Sequence, residues 1–119
     1  MPVSHVIINE NEKKLISRHE IKANLSDFIK TASGLLKDKG ELYIVHKPER
    51  MPDIIQKLRE NKIEPKELRV VYSNKNSEAS LILIKAVKGG KKFLKIDRPL
   101  YIYNESGQYS DEIKQIYNV

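Results

Sequence analysis

Few side chains in this sequence have the type and spacing that catalysis or metal binding requires. The histidines are His5, His19 and His46. No two of them stand at a ligand spacing such as His-Glu-x-x-His, so no metal centre is expected. The densest polar cluster is Ser17-Arg18-His19-Glu20, at a loop-to-helix junction. A local Arg18–Glu20 pair with His19 fixing the turn accounts for it as readily as a functional role does. A second cluster, His46-Lys47-Pro48-Glu49-Arg50, lies where a predicted strand exits towards a helix. In open α/β sheets that carboxyl edge is where ligands bind, although an ordinary strand–helix connection has the same composition. There is no P-loop, no Gly-x-Gly-x-x-Gly and no Gly-x-Ser-x-Gly. With no Cys in the chain, thiol nucleophiles, disulfides and Cys-ligated zinc are excluded, which suits a reducing cytoplasm.

Charge supplies the other chemical signal. The chain carries a formal net charge of +6, so polyanions are plausible partners. The excess is local: residues 85–98 hold six basic side chains and one acidic, whereas residues 99–119 hold one basic and three acidic. Lys88, Lys91, Lys92 and Lys95 surround Gly89-Gly90. They are candidates for RNA-backbone contacts, with Arg18, His19, Lys47 and Arg50 as further candidates from the loops. Equally, such lysines protect a sheet edge from aggregation.

The elements that must position these groups follow from periodicity. At 119 residues and 39% hydrophobic content, the chain is one domain or part of a larger one. No apolar run exceeds four residues, so no membrane-spanning segment is expected. Residues 1–23 show no clean period and read as loop with a short helical turn. Leu25, Phe28, Ile29, Ala32, Leu35 and Leu36 follow the i, i+3, i+4, i+7 pattern of a helix over about 25–37, with Asn24 as N-cap and Gly40 as terminator. Residues 41–46 read as a strand covered on both faces. Pro52 opens a second helix, striped by Ile54, Ile55, Leu58 and Ile63 and ending by Pro65. Strands follow at 68–72 and 80–87, joined by the polar turn 73–77. Residues 89–119 read as a β tail and a short helix capped by Ser110, which leaves 24–88 as the α/β core.

Read in order, several pieces resemble the bacterial tRNA(Val) adenine-N6 methyltransferase family. They are Asn9-Glu10-Asn11-Glu12, Ile16-Ser17-Arg18-His19-Glu20-Ile21, Val45-His46-Lys47-Pro48-Glu49-Arg50, Ile63-Glu64-Pro65-Lys66, Val87-Lys88-Gly89-Gly90 and the Tyr-rich tail from Pro99. The resemblance spans essentially the whole chain. It implies a Rossmann-like class I methyltransferase sheet, of which this chain supplies the C-terminal half: three main strands, two flanking helices, a β tail and a short C-terminal helix. The three strands then correspond to the fifth, sixth and seventh of that sheet, with the seventh between the other two.

Members of that family bind S-adenosylmethionine through a Gly-rich loop and an acidic residue, and hold the target amine with an Asn-Pro-Pro-Tyr motif after the fourth strand. None of these stands in this sequence, which resembles the family from just downstream of Asn-Pro-Pro-Tyr. The resemblance therefore implies no cofactor in the isolated chain, S-adenosylmethionine in the intact family, tRNA as partner, and a truncated or split methyltransferase. A non-catalytic RNA-binding or assembly module is the alternative. Losing the fourth strand leaves residues 42–45 as an unprotected sheet edge and exposes Phe28 or Ile29. A complementary N-terminal half or a homodimer is expected to cover that edge.

Overall fold

The computed structural model describes residues 3–9 and 25–117. In chain order these form strand β1 (Val3–Asn9), helix α1 (Leu25–Leu35), strand β2 (Leu36–His46), a 3-10 turn (Pro48–Arg50), helix α2 (Met51–Glu60), and strands β3 (Ile63–Tyr72) and β4 (Ala79–Lys88). The short strands β5 (Lys95–Ile96) and β6 (Leu100–Tyr101) and helix α3 (Asp111–Tyr117) complete it. The sheet order is β1-β2-β4-β3-β5, with β6 also paired to β3. β1 and β2 are parallel. β4 runs antiparallel to both its neighbours. The expected placement of the third main strand between the other two is therefore observed, and so is the α/β class.

Alternation along the strands sets which face is buried. Leu42 and Ile44 of β2, Ile82, Ile84 and Ala86 of β4, and Ile63 and Leu68 of β3 point to one face. There they meet Leu25, Ile29 and Ala32 of α1 and Ile54 and Leu58 of α2. Between them Tyr43 is 36% exposed, so β2 is covered fully on one face only, not on both as its apolar run suggests. The other face is closed at one end by a second cluster, Val71, Leu100 and Ile113, with Leu81, Leu83 and Ile102 against it. The β tail and α3 supply that cover because Arg69 clamps them: its Nε donates to the Arg98 carbonyl at 3.0 Å and its guanidinium pairs with Glu112.

Several expectations are corrected. Val3–Asn9 is a strand, not loop, and it pairs with β2 from Glu41 to Val45. The edge expected to be bare along residues 42–45 is thus hydrogen-bonded on both sides, and edge-to-edge dimerisation through it loses its basis. Ile29 is fully buried rather than exposed, because α2 and the sheet close over it. The first helix stops at Leu35 and β2 begins at once; the left-handed residue before the straight part of the strand is Lys39 (φ 67), not Gly40. Ile63 and Pro65 belong to β3 instead of the second helix, and the irregularity between Pro65 and Glu67 absorbs the missing proline donor. Asn24 and the short turn before residue 20 lie outside the described residues.

Gly89 is a position where glycine is favoured. It sits at φ 68 just after β4, and a Cβ there would lie 2.4 Å from the Asp38 carboxylate. The close approach allows its N–H to donate to the Lys62 carbonyl at 2.9 Å and its carbonyl to accept from Lys39 Nζ at 2.6 Å. The loop carrying the lysines is anchored at its start by these bonds.

Candidate functional site

The structure divides the candidate residues between two ends of the sheet. His46-Lys47-Pro48 stands at the C-terminal end of β2, on the carboxyl edge that α/β sheets use for ligands. His46 pairs with Ile82, which pairs with Val70, whereas Lys88 pairs with Ile63. Seven residues of β3 separate those two levels, roughly 23 Å of strand. Lys47 and Arg50 therefore do not join Lys88, Lys91 and Lys92 in one patch. Antiparallel β4 is the physical reason, since it carries its C-terminal loop to the opposite end. Arg18 and His19 lie outside the described residues.

At the carboxyl edge His46 is buried. Its Nδ1 accepts the Lys47 N–H at 2.8 Å, so the neutral ring carries its proton on Nε2. Pro48 has no N–H to offer, the Arg50 N–H is donated to the Lys47 carbonyl at 3.3 Å, and the Arg50 side chain pairs with Asp53 at 3.1 Å. The backbone N–H groups of Lys47, Arg50 and Met51 are thus used within the turn. A cofactor cradle needs the reverse: free N–H groups in a glycine-rich turn facing the ligand. This turn offers no glycine-rich run of N–H groups of that kind, and no catalytic step is assigned to it.

At the other end the lysines differ sharply in use. Lys88 Nζ donates to the carbonyls of Ser33 at 2.5 Å and Leu36 at 2.9 Å, at the C-terminus of α1, a helix with no basic residue in its own last turn. The strand thereby supplies the cation that the negative end of the helix lacks. Lys95 faces Asp97 at 3.5 Å. Lys91 and Lys92 are exposed and form no ion pair among the described residues. The nearby Lys66, which sequence reasoning passed over, donates to the carbonyls of Lys91, Lys92 and Phe93 at 2.8, 3.1 and 3.0 Å. No spacing in the sequence signals that contact, because it joins residues across β3 and a loop.

Four tyrosines stack on one another in two pairs. Tyr72 and Tyr101 have centroids 5.5 Å apart, and Tyr103 and Tyr109 5.6 Å. On the open sheet face a shallow cleft of about 390 Å³ is lined by Tyr43, Val45, Arg69, Leu83, Lys85 and Asp97, among others. Two of these lining residues bond to Glu41, which accepts from Lys85 Nζ at 2.9 Å and from the Tyr43 hydroxyl at 3.0 Å. Hydrogen bonding to Glu41 raises both the Tyr43 and the Lys85 pKa above their ordinary values. Among the described residues no helix is long and apolar enough to cross a membrane.

No protein-family model matches the chain, and no curated protein matches it. Solved structures do. A predicted O-methyltransferase from Agrobacterium tumefaciens superposes with a TM-score of 0.78 at 21% identity, over 98% of this chain and 53% of that one. M1.HpyAVI, in a complex with SAM, gives 0.55 at 18% identity, over 87% of this chain and 58% of that one. A second M1.HpyAVI structure gives 0.52 at 16% identity, over 81% and 57%. The chain thus spans little more than half the length of the structures it resembles. At these identities the likeness concerns the fold: over the length described, this chain has the Rossmann-like α/β fold of the methyltransferases.

Proposed function

We propose that this chain is the C-terminal part of an S-adenosylmethionine-dependent tRNA adenine-N6 methyltransferase, and that its 119 residues alone neither bind the cofactor tightly nor methylate RNA. The observation that carries this reading is the sheet order, with antiparallel β4 wedged between the parallel strands β2 and β3. The ordered sequence pieces from Asn9 to the Tyr-rich tail support the finer assignment to tRNA. Site chemistry supports the expected inactivity. A base-modifying enzyme must grip a splayed-out adenine beside the cofactor, and the turn after His46, whose Lys47, Arg50 and Met51 N–H groups are used internally, offers little toward either wall. A complementary N-terminal half would supply both, and a cytoplasmic location accompanies a tRNA substrate.

Calorimetric titration of the chain with S-adenosylmethionine tests the first part. The expected result is no saturable heat, and a micromolar isotherm overturns it. Methylation of tRNA(Val) transcripts by the chain together with a complementary methyltransferase half tests the second. Transfer to the transcript supports the assignment, and cofactor binding without transfer to RNA refutes the substrate. The exposed Lys91-Lys92 loop favours a second reading, a non-catalytic RNA-binding module, which predicts RNA binding whether or not a complementary half is present.

A further inference from the structure

Phe93 is held in a conformation that nothing inside the fold rewards. Its φ is 91, a region that side-chain-bearing residues rarely adopt. Its ring is 89% exposed, so burial does not compensate for the strain. What holds the backbone there is Lys66, whose ammonium has three N–H donors and directs them at three successive carbonyls, those of Lys91, Lys92 and Phe93. The loop is wrapped around that cation, and its start is pinned by the Gly89 bonds to Lys62 and Lys39. An exposed aromatic ring is therefore presented on a rigid turn beside Lys91 and Lys92, both exposed.

We propose that Phe93 is a stacking platform for an unpaired RNA base, with Lys91 and Lys92 contacting the adjoining phosphates and Lys66 acting as the positioning residue. The inference rests on the reading that RNA is the polyanion this chain meets. A rigid aromatic face stacks on any base, and neighbouring cations follow the backbone. Lys91 and Lys92, exposed and without an ion pair among the described residues, provide the charge complementarity. An apolar protein partner would be served by the ring but not by the paired lysines. The platform stands at the end of the sheet away from His46, so it holds a nucleotide distant from any base at the carboxyl edge.

The chain has no Trp, so the Phe93→Trp variant carries a single fluorescent reporter at the site. Titration of the full chain with a short single-stranded RNA, the same sequence as a duplex, and anionic phospholipid vesicles separates the sources of binding. Saturable quenching is expected with the single strand and far less with the duplex. Phe93→Ala is expected to lose about 5- to 150-fold in affinity for the single strand with an unchanged salt slope. Lys91→Gln and Lys92→Gln should each flatten that slope by about 0.7. Lys66→Met should weaken binding in the Phe93 background and add nothing in the Phe93→Ala background. Equal binding of single strand and duplex without quenching overturns the stacking role and leaves RNA as partner. A response to vesicles alone, or no response to RNA, overturns the proposal outright. Quenching by RNA with no methylation by the reconstituted domain keeps the platform and discards the enzymatic reading.

Discussion

Replacing Lys88 by methionine separates a fold-forming lysine from an RNA-binding one. In the structure its ammonium joins β4 to the end of α1 through the carbonyls of Ser33 and Leu36. Hydrogen bonds to a charged group contribute about 1.5–3 kcal/mol each when lost. Lys88 is only half-buried, so water offsets roughly half of the combined loss. Methionine keeps most of the stem packing, which isolates the ammonium. The expected loss is about 1.5–3 kcal/mol for the two bonds together. With a urea m-value of about 1.5 kcal/mol per M, the midpoint falls by about 1–2 M. Thermal unfolding should drop by about 6–12 °C. Lys92→Met is the control, because an exposed substitution without such bonds stays within about 0.5 kcal/mol. Urea unfolding followed by far-UV circular dichroism measures both variants. If Lys88→Met unfolds at the same midpoint as Lys92→Met while its RNA affinity collapses, the capping role is refuted and Lys88 returns to the binding surface.

Three further outcomes follow from the same contacts. Leu58→Ala, at a fully buried position facing the sheet, should cost about 2–5 kcal/mol in the same urea assay; a near-neutral result would mean that α2 does not seal the core. Because β1 covers β2, hydrogen exchange should be slow at every amide of residues 42–45, and fast exchange at alternate amides would restore a bare edge. The Lys85 and Tyr43 protons are held more tightly in the fold because Glu41 bonds to both. Their contribution is therefore complete below about pH 10 and is lost as pH rises through the raised folded values. Urea midpoints between pH 9 and 11.5 should fall less steeply for Glu41→Gln than for the unmodified chain; parallel curves would show that the pair is not linked to folding.

Local pattern was enough for the central elements. The spacing of Leu25, Ile29 and Ala32 specifies a helix with one buried face, and all three are in the core. Ser110 was legible as an N-cap from its type and place, and its Oγ accepts the Ile113 N–H at 3.3 Å. Helix–strand alternation followed by a hairpin determined the α/β class, since apolar period and turn residues are properties of neighbouring positions. The site was less legible, because what a charged or aromatic side chain does depends on partners far along the chain.

Val3–Asn9 has no strong period of its own, and pairing with β2 makes it a strand. Nothing in the composition of residues 85–98 distinguishes Lys88, turned in to cap α1, from Lys91 and Lys92, left in solvent. Strand register decided that, by bringing the end of β4 beside the end of α1. Register also put β3 beside the loop that follows β4, so that Lys66 could gather three carbonyls and turn Phe93 outward. Sequence alone determined which segments bury an apolar face. Only the tertiary structure decided which cations remain free, because hydrogen-bond partners 25–55 residues apart meet through the sheet and not through the local chain.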